Sequence, residues 1–436
     1  MSAENGAGTA GHKTIVYNAG ELAVGPEGSA GNDDLRVLTD GALVAVDGTV
    51  VSVGSSEEIT RSYPPENADT VIDAAGNAVV PGFVDPHTHA VFAGDRSDEF
   101  EAKLEGTTYQ ELLADGGGIL RTVRATGEAS LEELVANLRT HLDVMLAHGT
   151  TTAEVKSGYG LDTDTECRLL EAISIVDDSH PVDLVATFLG AHAVPPETDA
   201  DAYVEQVIDE QLPAVANQGI ARFCDVFCED GVFSVEQSRR VLEAGLEFGL
   251  TPKVHAEELS HLGGTKLAAD LEAASADHLL YSTEDDIDAL VAANTVPVLL
   301  PGTAFGLGES YADARGMLEA GAPVALATDF NPNCFGRSMT FTQTLACVGM
   351  GMTPAEALLG STTNAAMALD LPGETGRLEP GASADFLVVD GPRYAHIAYQ
   401  LDGNPVRTVC KDGRVVAEGG RRVDTDSDRF EAEGTR

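Results

Sequence analysis

Eight short apolar runs recur through the middle of this chain, each ending in polar or glycine residues: VVPGFVDPHTH, TTAEVKSGYG, DLVATFLGAH, ARFCDVFCED, TPKVHAEE, SADHLL, VPVLLPGT and VALATDFNP. Between most of them lie stretches such as SLEELVANLRTHLDVMLAHG and SVEQSRRVLEAGLEFG. Their apolar residues return at spacings of three and four, the period of one helix face. Eight strand-then-helix units over residues 81–376 match the count of a (β/α)8 TIM-type barrel, an α/β fold. A doubly wound open sheet is the competing arrangement. No glycine-rich phosphate fingerprint follows the first run, which counts against it.

The flanks have a different texture. TIVYNAG, ALVAVDGTVVSVG and TVIDAAGNAVV near the start, and ADFLVVD and VRTVCKDGRVVAEGGRRV near the end, are short strand-like runs separated by glycine and Asp-Gly turns. They predict one small β-sandwich domain built from both termini, residues 1–80 and 377–436, with residues 1–12 as a loose tail. A length of 436 residues suits one large domain and one smaller one.

Charge narrows the partners. Against 71 Asp+Glu there are 26 Lys+Arg, a formal net charge of −45, and only six of the cations are Lys. Nucleic acid and anionic membranes are polyanions, so the acidity argues against either as a partner. An acidic, Lys-poor chain fits a salty cytoplasm, where ions screen the self-repulsion. With no Trp and 5% aromatics, the core has to be built from Ala, Val and Leu. The six cysteines show no disulfide spacing. The polar start (MSAENGAGTAGHK) lacks a signal-type apolar region, and no run of 18 apolar residues exists. The expectation is a cytoplasmic protein without a membrane span.

A barrel builds its active face from the C-terminal ends of its strands. The runs end there in His-Thr-His, Tyr-Gly, Ala-His, His-Ala-Glu-Glu, Asp-His and Asp-Phe-Asn. His87 and His89 alternate on one strand, so both point the same way, and paired imidazoles suit a metal of borderline softness. His255 ends the fifth run and Asp329 the eighth, and closing the barrel brings them to the same mouth. Three imidazoles and a carboxylate make a mononuclear centre with room for water. Glu258 follows His255 by three residues and is placed to act as a base, with Glu257 the neighbour most easily confused with it. His278 ends the sixth run, open to the role of ligand, proton carrier or substrate donor. Arg96, Tyr109, Tyr159 and His192 follow the first strands and suit an anionic or polar substrate. Binuclear barrel hydrolases bridge two metals with a carboxylated lysine on the fourth strand. Here Lys156 lies on the second run and the fourth has no lysine, which favours one metal. Cys224 and Cys228 are read as buried thiols, and Cys334 lies near enough to the mouth to touch substrate.

With these residues in place the chain resembles the amidohydrolase superfamily, and within it the imidazolonepropionase family. PGFVDPHTH and GRLEPGASADFLVVD are superfamily-level signals; AGDRSDEF, GTTYQELL, EVKSGYGL, FLGAHAVP, KVHAEEL, SADHL, LLPGTAFGLGE and ATDFNPN are more specific, and the likeness spans nearly the whole chain. The resemblance implies ring opening of 4-imidazolone-5-propanoate by water to N-formimidoyl-L-glutamate, a step of histidine degradation. It implies one Zn(2+) or Fe(3+) per subunit on His87, His89, His255 and Asp329, and a homodimer. It also implies substrate contacts at Arg96, Tyr109, Tyr159, His192, Glu258 and Asn331, with His278 as a further active-site histidine. After ATDFNP the family has glycine and then Ser or Thr, both touching ligand, where this chain has Asn333 and Cys334. Asn can supply a backbone contact if it adopts the same φ, but a thiol donates a weaker hydrogen bond than a hydroxyl. Two other functions remain open at this point: another mononuclear amidohydrolase or aminohydrolase of a nucleobase-like ring, and a scaffold with a degenerate barrel.

Overall fold

The computed structural model describes residues 11–28, 34–107 and 116–423. Two sheets organise it. The chain begins with β1 (Lys13–Pro26), β2 (Leu35–Val46), β3 (Thr49–Ser55), β4 (Thr70–Asp73) and β5 (Ala78–Pro81). It ends with β14 (Phe386–Val389), β15 (Val406–Lys411), β16 (Arg414–Glu418) and β17 (Arg421–Arg422). These nine form a single mixed sheet in which β5 joins the two ends of the chain by pairing antiparallel with β14. Asp47–Gly48 turns the β2–β3 hairpin with both residues at positive φ, as a tight two-residue hairpin turn requires. That hairpin curls back onto the other end of the sheet: Val50 N donates to Ala382 O (2.9 Å) and Ala384 N to Gly48 O (2.7 Å). Val16, Leu22, Leu43, Val79, Phe386 and Val388 pack inside the fold so made. The sandwich-like core is therefore one sheet folded over itself.

Between the two ends come β6 (Phe83–Asp85), β7 (Thr150–Lys156), β8 (Asp183–Ala191), β9 (Phe223–Cys228), β10 (Thr251–Ala256), β11 (Ser275–His278), β12 (Val296–Leu299) and β13 (Ala325–Leu326). All eight are parallel, each paired with its sequence neighbours, and helices follow most of them. Every apolar run of the middle segment supplies one barrel strand. The first run divides: VVP belongs to β5 of the other sheet, and only FVD enters the barrel. Gly82 is the joint, since a Cβ there would lie 2.3 Å from Thr151 Oγ1.

The seam between β6 and β13 closes just beyond the strand ends. Thr328 N and Oγ1 donate to the Asp85 carboxylate at 3.1 and 2.6 Å. Asp329 N donates to His87 O (3.1 Å) and His89 N to Phe330 O (2.9 Å). The helix Leu131–Ala147 shows why the outer layer forms. Ser130 caps it by accepting from Glu133 N, and Leu134, Leu138, Leu142 and Met145 bury one stripe.

The buried apolar residues are mostly Ala, Val and Leu. All six cysteines are free thiols. Lys156, Lys253 and Lys411, three of the six lysines, are buried, so the outer surface is poorer still in lysine. Among the described residues no helix is long and apolar enough to cross a membrane.

Candidate metal centre

The seam itself carries three of the four proposed ligands. His87 and His89 stand at the end of β6, Asp329 just after β13, and His255 on β10. Asp329 Oδ1 lies 3.5 Å from His87 Nε2 and 3.6 Å from His89 Nε2. His255 Nε2 lies 3.5 Å from His89 Nε2. Two donors about 2.1 Å from one tetrahedral ion sit roughly 3.4 Å apart, so these separations suit a shared cation. His87, His89 and Asp329 can place donor atoms within 4.8 Å of one another, and so can His87, His255 and His278. His87 Nε2 is buried with no hydrogen-bond partner, as are both ring nitrogens of His278. Such orphaned acceptors are costly unless something binds them. Burial, followed by the Lys156 charge for His87 and the His192 ring for His89, holds both well below the ordinary histidine range. That shift favours neutral rings with lone pairs available. The donor set fits a metal ion.

Beneath the ligands lies a layer that the sequence did not reveal. His87 Nδ1 is 2.6 Å from Asp277 Oδ2, and His255 Nδ1 is 3.0 Å from Asp225 Oδ2. The first is a hydrogen bond and the second an ion-pair contact without hydrogen-bond alignment; both leave the other ring nitrogen to face the centre. Burial opposes a charge on His255, but the Asp225 carboxylate outweighs it and raises the ring's pKa.

Glu257 and Glu258 are now told apart. Glu257 has positive φ (49°) and is fully buried. Its carboxylate accepts from Gly263 N (2.6 Å), Gly264 N (2.8 Å) and Thr265 N (2.7 Å), anchoring the helix Gly264–Asp270. Glu258 Oε2 instead lies 3.6 Å from His278 Nε2. Burial, then the nearby Asp329 charge, pushes the Glu258 carboxyl up to about 8. Its loop is held by Glu229, which accepts from Glu258 N (3.1 Å), Leu259 N (2.9 Å) and the Ser260 hydroxyl. Glu166 does the same for the loop carrying Tyr159, accepting from Gly158, Gly160 and Leu161 N–H groups.

Of the predicted substrate residues, Tyr159 and His192 reach the centre. The His192 ring stacks on His89 (centroids 5.0 Å apart), and Tyr159 lies 5.8 Å from His89. Burial takes His192 down to about 3, and its Nδ1 is 2.9 Å from Gly158 O. A neutral ring donating from Nδ1 has only an acceptor at Nε2. His278, with both nitrogens unpartnered, is the imidazole able to donate to substrate. Arg96 is 7% exposed, and its Nε pairs with Glu99 at 2.8 Å. Tyr109 lies outside the described residues.

The Asn331 side chain is engaged in its own turn. Its Oδ1 accepts from Asn333 N (2.7 Å) and Cys334 N (2.9 Å), and its Nδ2 donates to Asp329 O (2.8 Å). Asn333 does not have positive φ, and its Oδ1 accepts from Lys103 Nζ at 2.6 Å. Cys334 is buried, its Sγ 3.9 Å from Thr328 O, and burial pushes its thiol up to about 12. Cys224 and Cys228 are buried too, facing the glycines Gly245 and Gly264 of neighbouring helices. His278 (φ 80°), Leu279 (62°) and Asp329 (51°) all carry left-handed backbone at the mouth, strain of the kind that gathers at functional sites.

A closed parallel barrel with a His-x-His, His, Asp cradle at its C-terminal mouth defines an amidohydrolase, and the model of the Amidohydrolase family matches residues 240–416. The fold is shared with an adenosine deaminase from Xanthomonas campestris crystallised with bound zinc (TM-score 0.73, 15% identity, 94% of each chain). It is shared also with E. coli guanine deaminase (TM-score 0.70, 18% identity, 93% of this chain and 99% of that one). Much nearer in sequence are curated imidazolonepropionases. That of Haloarcula marismortui is 62% identical, covering 92% of this chain and 96% of the relative. Those of Halobacterium salinarum and Geobacillus kaustophilus are 60% and 48% identical, covering 93% and 89% of this chain and 98% and 92% of theirs. The chain belongs to the imidazolonepropionase family.

Proposed function

We propose that the protein opens the ring of 4-imidazolone-5-propanoate with water, giving N-formimidoyl-L-glutamate, in the degradation of histidine to glutamate. The observation that carries this is near-full-length identity of 62% to an imidazolonepropionase in a chain whose His and Asp donors meet at one barrel mouth. His87, His89, His255 and Asp329 would hold one Zn(2+) or Fe(3+) per subunit; three imidazoles and a carboxylate suit either. When bound, the ion supplies Lewis acidity, drawing the pKa of water down toward neutrality and polarising a carbonyl.

The chain's own groups do the rest. Glu258 takes the proton of the attacking water as oxygen adds to the ring carbonyl. His278 donates to the carbonyl oxygen while negative charge develops there. The carbon–nitrogen bond then breaks, and protonated Glu258 returns its proton to the leaving nitrogen, so the water is fully accounted for. Arg96 pairs with the propionate carboxylate and, with Tyr109 and Tyr159, fixes the ring over the centre. His192 accepts a hydrogen bond from the substrate. Asn333 offers backbone contacts, with Asn331 shaping the turn, and Cys334 packs beside Asp329. A homodimer in the cytoplasm accompanies this reading, on the strength of the family likeness.

The test is incubation of purified, metal-quantified protein with freshly made imidazolone propionate. Loss of ring absorbance with formation of N-formimidoyl-L-glutamate is the expected result. No turnover of it, alongside turnover of a nucleobase-like ring, would transfer the activity to the aminohydrolase class.

A further inference from the structure

We propose that Lys156 is a positioning residue for the metal centre: one buried ammonium fastens Asp225 and Asp277, so that each presents the same oxygen to the outer nitrogen of a ligand histidine. The inference rests on the reading that His87 and His255 hold a cation. Lys156 ends β7, fully buried inside the barrel. Its Nζ is 2.7 Å from Asp225 Oδ2 and 3.5 Å from Asp277 Oδ2. Those two oxygens are the ones that meet His255 Nδ1 at 3.0 Å and His87 Nδ1 at 2.6 Å. A single side chain thus touches both carboxylates, hydrogen-bonding Asp225 and pairing more loosely with Asp277, whose other oxygen accepts from Ser275 Oγ at 2.5 Å.

The same ammonium fills a place that donor atoms alone would leave to a second ion. His87, Glu154 and Asp277 can bring donors within 4.8 Å of one another. Two tethered cations already stand there: Lys156 Nζ is 2.9 Å and Lys253 Nζ 2.8 Å from Glu154 Oε2. Lysine here serves as a lysine, without carboxylation, and holds the pocket beneath the single centre.

Positioning and charge balance predict opposite signs. An ammonium near a bound cation repels it, so deleting the charge alone would tighten metal binding. Losing the common anchor of two aspartates weakens it, by about 10–100-fold for groups that orient metal ligands. The measurement is the Zn(2+) affinity of the full chain by competition with a chromophoric chelator, together with the visible spectrum of the Co(2+)-loaded chain. Lys156→Met is expected to weaken Zn(2+) about 10–100-fold and to alter the Co(2+) spectrum. The double variant Lys156→Met, Glu154→Gln keeps the local charge sum, and the same loss is expected; it decides the matter if the single variant does not fold. Lys411→Met removes another buried lysine, one on β15 of the other sheet whose Nζ is 2.7 Å from Asp385, and should leave Zn(2+) affinity within twofold. Affinity in the Lys156 variants within twofold of the parent, or tighter, overturns the proposal. So does failure of both variants to fold, which would make the lysine a structural charge. A parent chain that binds no Zn(2+) or Co(2+) would remove the centre itself, and this proposal with it.

Discussion

Two adjacent glutamates should respond in opposite ways to the same substitution. The Glu257 carboxylate accepts from Gly263, Gly264 and Thr265 N–H groups at 2.6–2.8 Å, and from the Thr265 hydroxyl. An amide in its place has one acceptor oxygen and one NH2. If the NH2 faces Thr265, that N–H is left without an acceptor, at about 1–3 kcal/mol, and the remaining bonds fall from charge-assisted to neutral, at about 1 kcal/mol each. The sum is about 4 kcal/mol. Burying an amide costs less than burying a carboxylate, so a net loss of about 2–3 kcal/mol is expected for Glu257→Gln. Glu258 has its side chain 15% exposed and faces His278. Glu258→Gln should leave stability unchanged or slightly higher and cut kcat by about 10²–10⁴, with KM little altered. Urea unfolding in molar KCl and steady-state kinetics read the two effects. A Glu257→Gln variant within about 0.5 kcal/mol of the parent would refute the anchoring role, and near-normal turnover of Glu258→Gln would remove it as the base.

With a net charge of −45, the unfolding midpoint should rise strongly between dilute and molar KCl, as the Debye length shrinks from about 10 Å to about 3 Å; a salt-independent midpoint contradicts this. His180 is buried and lies 3.2 Å from Asp143, and burial takes it down to about 4. Its folded pKa is below the unfolded value, so its contribution is intact above about pH 6.5 and is lost as pH falls toward 4, by at most about 3 kcal/mol. In molar KCl, His180→Gln should flatten that part of the stability profile. Chelator treatment should abolish turnover, restored by Zn(2+) or Fe, and should lower stability by about 2.7 kcal/mol relative to protein at a hundredfold excess of metal over Kd. Arg96→Ala should lower kcat/KM about 10–100-fold, mainly through KM, the worth of one charge-assisted carboxylate contact of about 1.5–3 kcal/mol; an unchanged KM would place the carboxylate elsewhere.

The strands were legible because each apolar run stops where chemistry-bearing residues begin. That is also why His87, His89, His255 and Asp329 could be picked out, and the structure does bring them together. The boundary drawn between residues 80 and 81 falls close to the joint at Gly82, but the apolar run itself does not show it, since a strand of one sheet leads straight into a strand of the other with no change in polarity. Asp225, Asp277 and Glu154 were missed for a different reason. In a chain with 71 acidic residues, three buried carboxylates look like the rest of the solvated ones. Lys156 drew notice as a lysine in the wrong place for a bridge, but its partners come from β9 and β11, which no local pattern connects to β7. Asn331 adds a role that likeness did not give: its side chain also ties its own turn together.

The bonds joining His87 to Asp329 and His89 to Phe330 mean that the earliest and latest staves of the cask meet at the cradle. A nascent chain still lacking its last stave has the histidines but no aspartate to complete the set. Ion capture by the full set thus waits on closure of the ring, and an ion held there would act as a clasp across the join.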